Sequence, residues 1–236
     1  MIDVERSAAF RGRSQAIRTV RDYFYMGEIG ERIAAFCRES GGFLTMEDLR
    51  DFHVKVEEPQ RGSYKGIDVY TCGFWCQGPA LIQVLHILED MDVGRLGHNS
   101  ADYLHVVLEA IKLVFSDRHS YYGDPEFVDV PSQLLSKEYA DVRRGLIDMA
   151  KAWPEMPPPG DPKNMLPRAS NSSTLRLQPV SADPRLEDAG GTAYLCATDR
   201  WGNAFSATPS DLTVHTPLVP GLGIGLSVIG GQAWLD

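Results

Sequence analysis

The spacing of apolar and polar positions divides the chain into a helical front and a strand-rich end. Residues 14–26 and 28–39 read as helices, with Ile29, Ile33 and Phe36 at helical spacing and Gly41-Gly42 as the stop. "TMEDLRDF" opens a short helix in which Thr45 and Asp48 are spaced as a capping box. "VKVEEP" and "IDVYTC" read as two strands joined by "QRGSYKG". Pro79 suits the first position of a helix in "PALIQVLHILED". Asn99 or Ser100 caps a long helix through "NSADYLHVVLEAIKLVFSDRHSYY", with Leu104, Val107, Leu108, Ile111 and Phe115 as its predicted apolar face. "LLSKEYADVRRGLIDM" reads as one further helix.

The pattern changes at residue 151. Prolines crowd the stretch from Pro154 to Pro184 with few apolar residues among them, which predicts a loose surface segment. A hairpin follows: Thr192 to Asp199 as a strand, "DRWGN" as a tight turn with Gly202 in the left-handed region, and "AFSAT" as the partner strand. The tail "TPLVPGLGIGLSVIGGQAWLD" is glycine-rich; "GLGIG" lacks the spacing and following helix of a dinucleotide loop and reads as a turn. Three regions result: 1–150, mainly helical with a strand pair; 151–191, Pro-rich; and 192–236, β-rich.

Composition narrows the function classes. A net charge of −9 over 236 residues, with no basic cluster, argues against nucleic acid as a partner. No apolar run is long enough to span a bilayer, and "MIDVERSAAFRGRSQ" lacks the apolar core of a signal peptide, so this sequence assigns no compartment. Cys37, Cys72, Cys76 and Cys196 form no CxxC pair and no zinc-ligand spacing with histidine, which predicts free and mostly buried thiols. His98, His105 and His119 do not share a helix face, so no metal site is expected. Asp117, Arg118 and Asp124 read as a salt-bridged structural cluster near the end of the long helix.

One feature resists the hairpin reading. Gly190-Gly191 stands directly before Thr192. It is either a flexible entry to a strand, with Thr as an ordinary β-former, or a chemical device. A Thr acts as a nucleophile when its own α-amine is the base, and that amine is freed by cutting the bond before it. A glycine at that position gives the hydroxyl room to reach the preceding carbonyl.

Four segments in order then resemble the γ-glutamyltranspeptidase family: "GGFLTMEDLRDFHVKVEEPQRGSYKGIDVYTC", "GHNSADYLHVVLEAIKLVFSDRHSYYGDPEFVDVP", "LLSKEYA" and "GGTAYLCATDRWGNAFSAT". "WCQGPAL", "TPSD" and "GGQAWLD" resemble its acylase and amidohydrolase-like branch. The resemblance implies an α+β fold, the αββα sandwich of N-terminal-nucleophile hydrolases. It implies autoproteolysis between Gly191 and Thr192, with large and small subunits from one precursor. Thr192 is then the catalytic nucleophile, and Ser210 takes the place of a second Thr that hydrogen-bonds it. The implied substrates are small γ-glutamyl or related amides, with water or an amine as acceptor and no cofactor.

The chain also departs from the family pattern. Ala193 replaces a frequent second Thr, and "LSVIGG" replaces a polar stretch that holds the γ-glutamyl amino group, so Asp211, Ser227 and Gln232 are the polar residues left for substrate binding. Family members extend past both ends, where a carboxylate-binding Arg and the oxyanion-hole residues are expected. The sequence therefore reads as an internal fragment or one piece of a split enzyme. The competing expectation is an inactive module used for binding or assembly.

Overall fold

The computed structural model describes residues 1–167, 192–210 and 216–227. Helices and strands are mixed, as an α+β chain requires, and they group into two compact units: Met1–Lys55 with Pro179–Asp236, and Val56–Gln178.

In the first unit, α1 (Ile2–Ala8), α2 (Arg13–Tyr25), α3 (Glu28–Glu39) and α4 (Met46–Asp51) succeed one another. Gly41, at φ 79°, ends α3: its N–H donates to Arg38 O, and that of Gly42 to Cys37 O at 2.8 Å. The capping box of α4 is present in both directions. Asp48 N–H donates to Thr45 Oγ1 at 3.2 Å and Thr45 N–H to Asp48 Oδ2 at 2.8 Å. The Thr45 hydroxyl also donates to Asp48 Oδ2, at 2.7 Å, and this bond, with that of the Thr45 N–H, holds the Asp48 carboxyl below the usual carboxylate range. Ile33, Ala34 and Leu49 form a small core with Val219. Val219 belongs to a hairpin of β5 (Leu218–Val219) and β6 (Ile224–Gly225), and "GLGIG" forms its turn, with Gly221 and Gly223 at φ 71° and 67°. A longer hairpin, β3 (Leu195–Thr198) with β4 (Ala204–Ala207), completes the unit's strands among the described residues.

The second unit begins with a hairpin displaced from its expected place. β1 is Gln60–Tyr64 and β2 is Ile67–Thr71, so the predicted connector supplies a strand and "VKVEEP" does not. The turn explains the shift. Lys65 and Gly66 both have positive φ, 48° and 82°, which makes a two-residue turn and pairs Tyr64 directly with Ile67. The partner of "IDVYT" must then be the five residues just before the turn. Gly62 in β1 is required by packing, since a Cβ there would lie 2.4 Å from Ile82 Cγ2.

Helix α5 (Gly78–Leu88) begins one residue before Pro79, which takes its second position rather than the expected first. Helix α6 (Ala101–Tyr121) is capped by Ser100, whose Oγ accepts from Tyr103 N–H at 3.1 Å. The apolar face expected for α6 is not the buried one: Leu104 and Leu108 are 46% and 54% exposed and Phe115 is 37% exposed. Val106, Ala110, Leu113 and Val114 are buried instead, beside Glu109 and Asp117. Two carboxylates made this face look mixed, yet both find partners inside the protein. The segment expected as one helix over 134–149 is split by a second cap. Ser136 accepts from Tyr139 N–H, and α7 spans only Lys137–Arg144, after a short 3-10 turn over Ser132–Leu135.

The partners of Glu109 and Asp117 come in part from the Pro-rich stretch, whose described part, 151–167, is not a loose surface segment. Pro157, Pro159, Gly160 and Pro162 are buried. Glu109 accepts from Lys112 Nζ at 2.7 Å and from Trp153 N–H at 3.1 Å. Asp117 accepts from Gly160 N–H at 2.8 Å and from the Tyr139 hydroxyl at 3.0 Å, and it pairs with Arg143 at 3.1 Å. Arg143 also donates to the carbonyls of Leu113, Pro158 and Pro167. Proline stretches cannot donate to a ladder, so their carbonyls need donors from elsewhere, and Arg143 supplies them. Asp117 is thus in a structural ion pair, as expected, but with Arg143 of α7 rather than with Arg118. The rest of the Pro-rich stretch, from 168, lies outside the described residues.

The thiols differ from expectation too. Cys37 is buried and Cys76 half-buried, but Cys72 and Cys196 are exposed. Cys196 stands in β3, and Cys72 directly follows the last residue of β2.

Two outcomes follow. Arg143→Met should leave the buried Asp117 carboxylate uncompensated and destabilise the chain by about 3 kcal/mol or more in a denaturant titration. His86 of α5 is buried against β1 and accepts from Ser63 N–H at 3.3 Å, and burial pushes its pKa below the ordinary value, with Lys137 adding to the shift and Glu89 opposing it. Below about pH 6.5 the unfolded chain takes up the proton first, so stability should fall as pH drops through that value. Melting curves recorded across that range should show this slope in the native chain and a smaller one in His86→Gln.

Candidate active site

The site is built from the hairpin turn outward. Asp199 is the keystone of the turn: its carboxylate accepts from the N–H groups of Trp201 and Asn203 at 2.9 and 3.0 Å and from Asn203 Nδ2 at 2.8 Å. The Asn203 side chain is the chief reason that this carboxyl sits below its usual range. Gly202, at φ 85°, takes the left-handed position that the sequence assigns to it.

This turn sets the register of the strands. Thr198 pairs with Ala204 and Leu195 with Ala207. Continued outward, the same register sets Ala193 opposite Pro209, and Ala193 N–H donates to Pro209 O at 3.0 Å. One residue further it sets Thr192 opposite Ser210. Their hydroxyl oxygens lie 2.8 Å apart, within hydrogen-bond distance, and either can be the donor. Residues directly opposite in an antiparallel pair point to the same face, so the contact is a consequence of strand geometry. Both side chains are exposed, as are Tyr194, Leu195 and Phe205 on the same hairpin.

The structure therefore brings together two of the residues nominated from sequence, Thr192 and Ser210. Ser227 is an exposed residue just beyond β6, on the other hairpin of this unit. Gly191, Asp211 and Gln232 lie outside the described residues. A cleft of about 690 Å³ in the second unit, lined by Phe74, Pro125 and Phe127 among others, holds none of the nominated residues. Among the described residues no cluster of three or more His, Cys, Asp or Glu is placed to hold a metal ion.

Sequence reasoning overlooked the partners of the two buried carboxylates of α6, and Arg143 above all. The available signal was Glu109 and Asp117 at core-periodic positions of that helix, since charged residues are rarely fully buried unless paired.

Solved structures give the class. A structure of LmbA2991 is 33% identical, with a TM-score of 0.77 over 95% of this chain and 39% of its own. The γ-glutamyltranspeptidase of Helicobacter pylori is 27% identical with a TM-score of 0.55, covering 72% of this chain and 47% of its own. The fold is that of the N-terminal-nucleophile hydrolases, in the α+β class. The family model described as gamma-glutamyltranspeptidase matches residues 15–226, and the chain belongs to that family. Among curated relatives, the glutathione hydrolase proenzyme of Escherichia coli is 38% identical over 88% of this chain and 32% of its own length. The acylase ACY 1 proenzyme of Pseudomonas sp. is 39% identical over 56% of this chain and 24% of its own. The chain thus spans about a third or less of these two curated relatives.

Asp199→Ala removes three hydrogen bonds from the turn and should loosen the pairing above it. Amide exchange at Ala193, whose N–H is bonded to Pro209, should accelerate measurably, while exchange in α6 stays unchanged.

Proposed function

We propose that this chain carries the nucleophile of a γ-glutamyltranspeptidase-like hydrolase or transferase, with Thr192 as that nucleophile and Ser210 as its hydroxyl partner. The observation that supports this most is the 2.8 Å contact between Thr192 Oγ1 and Ser210 Oγ at the open end of the β3–β4 hairpin. Membership of the family, and the relatives that are proenzymes, agree with it.

The chemistry runs in two stages. In the precursor, the Thr192 hydroxyl attacks the Gly191 carbonyl, the C–N bond breaks, and the acyl group passes from nitrogen to oxygen. Water hydrolyses the resulting ester and leaves Gly191 as a carboxylate and Thr192 with a free α-amine. That amine, with an ordinary pKa of about 7.7–8.0, is matched to act as general base near neutral pH. In turnover the hydroxyl attacks a γ-glutamyl or related amide, the amine of the substrate departs with a proton, and water or an acceptor amine releases the acyl group. Ser210 donates to the Thr192 oxygen as charge develops on it, which a serine does as well as a threonine.

The protein produced with its flanking coding sequence should split between Gly191 and Thr192, as read by intact mass. Thr192→Ala should remain uncut, and a native chain that stays uncut for days would overturn the proposal. Ser210→Ala should slow both cutting and release of a γ-glutamyl anilide by roughly tenfold, about the weight of one neutral hydrogen bond. Unchanged rates would remove Ser210 from the site. Cutting without any anilide release would mark an assembly module in place of an enzyme.

A further inference from the structure

The turn between β2 and α5 places two cysteines together that are four residues apart. Cys72 directly follows the last residue of β2, and Cys76 stands two residues before Gly78, the first residue of α5. The loop between them is folded back on itself: Cys76 N–H donates to Gly73 O at 3.2 Å. Two glycines make this possible. A Cβ on Gly73 would sit 3.1 Å from the Trp75 indole. One on Gly78 would sit 2.7 Å from Thr71 Cβ and 3.2 Å from Cys72 N, so the start of the helix is pressed against the end of the strand. In this arrangement both cysteines stand against Gly78: Cys76 Sγ takes its N–H, and the backbone N of Cys72 lies where a Cβ on Gly78 would press. Their environments differ. Cys72 is exposed, whereas Cys76 is half-buried and its sulfur accepts from Gly78 N–H at 3.4 Å.

We propose that Cys72 and Cys76 form a redox-active dithiol that closes to an intramolecular disulfide by exchange with small-molecule disulfides. The exposed Cys72 thiolate attacks one sulfur of the reagent RSSR, forming a mixed disulfide and releasing the first RS⁻, which is protonated to RSH. The Cys76 thiol, losing its proton to solvent, attacks the Cys72 sulfur and expels the second RS⁻. Two protein thiols are oxidised and one disulfide is reduced to two thiols. Burial pushes the Cys76 thiol up, which assigns the first attack to Cys72 and the resolving step to Cys76. The backbone N–H at the start of α5 stabilises the Cys76 thiolate as it forms. The closed form would tie the end of β2 to the start of α5.

Trypsin cleavage after Lys65 and Arg95 leaves both cysteines on one peptide, with Cys37 and Cys196 on others. The intact chain is incubated with hydroxyethyl disulfide, which is not itself a γ-glutamyl compound, then acid-quenched, alkylated and digested. The expected peptide is two hydrogens lighter than the dithiol, carries no alkyl group, and takes up two after reduction. Cys76→Ser should retain the reagent as a stable adduct on Cys72. Two separate adducts or two alkyl groups on the native peptide, pairing of Cys72 with Cys37 or Cys196, or no adduct on Cys76→Ser would each overturn the proposal.

Discussion

A carboxylate with no access to solvent organises the second unit. Asp117 lies in the middle of packed side chains, and an ion in that position is tolerated only if its lone pairs are occupied. Arg143 neutralises it, while the Tyr139 hydroxyl and Gly160 N–H complete its hydrogen bonds. The same arginine reaches three backbone carbonyls, two of them on prolines. One ion pair thus joins the long helix α6, the short helix α7 and a proline stretch that has no ladder of its own. An apolar substitute could fill the volume, but it could not tell the chain where Pro158 and Gly160 belong. The demand is strict at Gly160, where any Cβ would lie 2.0 Å from the Tyr139 oxygen.

Glu109 repeats the device two turns earlier on the same helix. It binds Trp153 N–H, and Lys112 bridges from Glu109 to the Trp153 carbonyl at 2.8 Å. Two buried carboxylates on one helix face therefore hold the strap at two points, Trp153 and Gly160. That face of α6 is mixed by composition yet forms the interior, because its charges are consumed internally. The face that looked apolar is left facing outward.

The first unit places its chemistry by a lighter mechanism. Among the described residues no ion is buried at Thr192 or Ser210. A three-residue turn, fixed by Asp199 and opened by Gly202, sets a register, and the register sets two hydroxyls opposite each other. Positioning by strand pairing suits the role proposed for Thr192, because the neighbouring strand can hold the residue from the side whatever becomes of the peptide bond before it.

Much of this was determined by the sequence alone. Caps and turns are local: Thr45 with Asp48, Ser100 before α6, Gly41 after α3 and Gly202 in the hairpin all act over a few residues, so their chemistry is visible without a fold. The pairing of Thr192 with Ser210 belongs with them, because a hairpin turn propagates its register along both strands. Tertiary structure decided what depends on distant partners. It chose which side of α6 is buried, since Glu109 and Asp117 are acceptable inside only when Trp153, Gly160 and Arg143 arrive from elsewhere in the chain. It set Gly62 and the β1 strand against Ile82 of α5, and it brought Cys72 and Cys76 together by pressing the start of a helix against the end of a strand. Hydrophobic periodicity records what a segment would bury by itself, and it carries no term for a charge that finds its counter-ion across the fold.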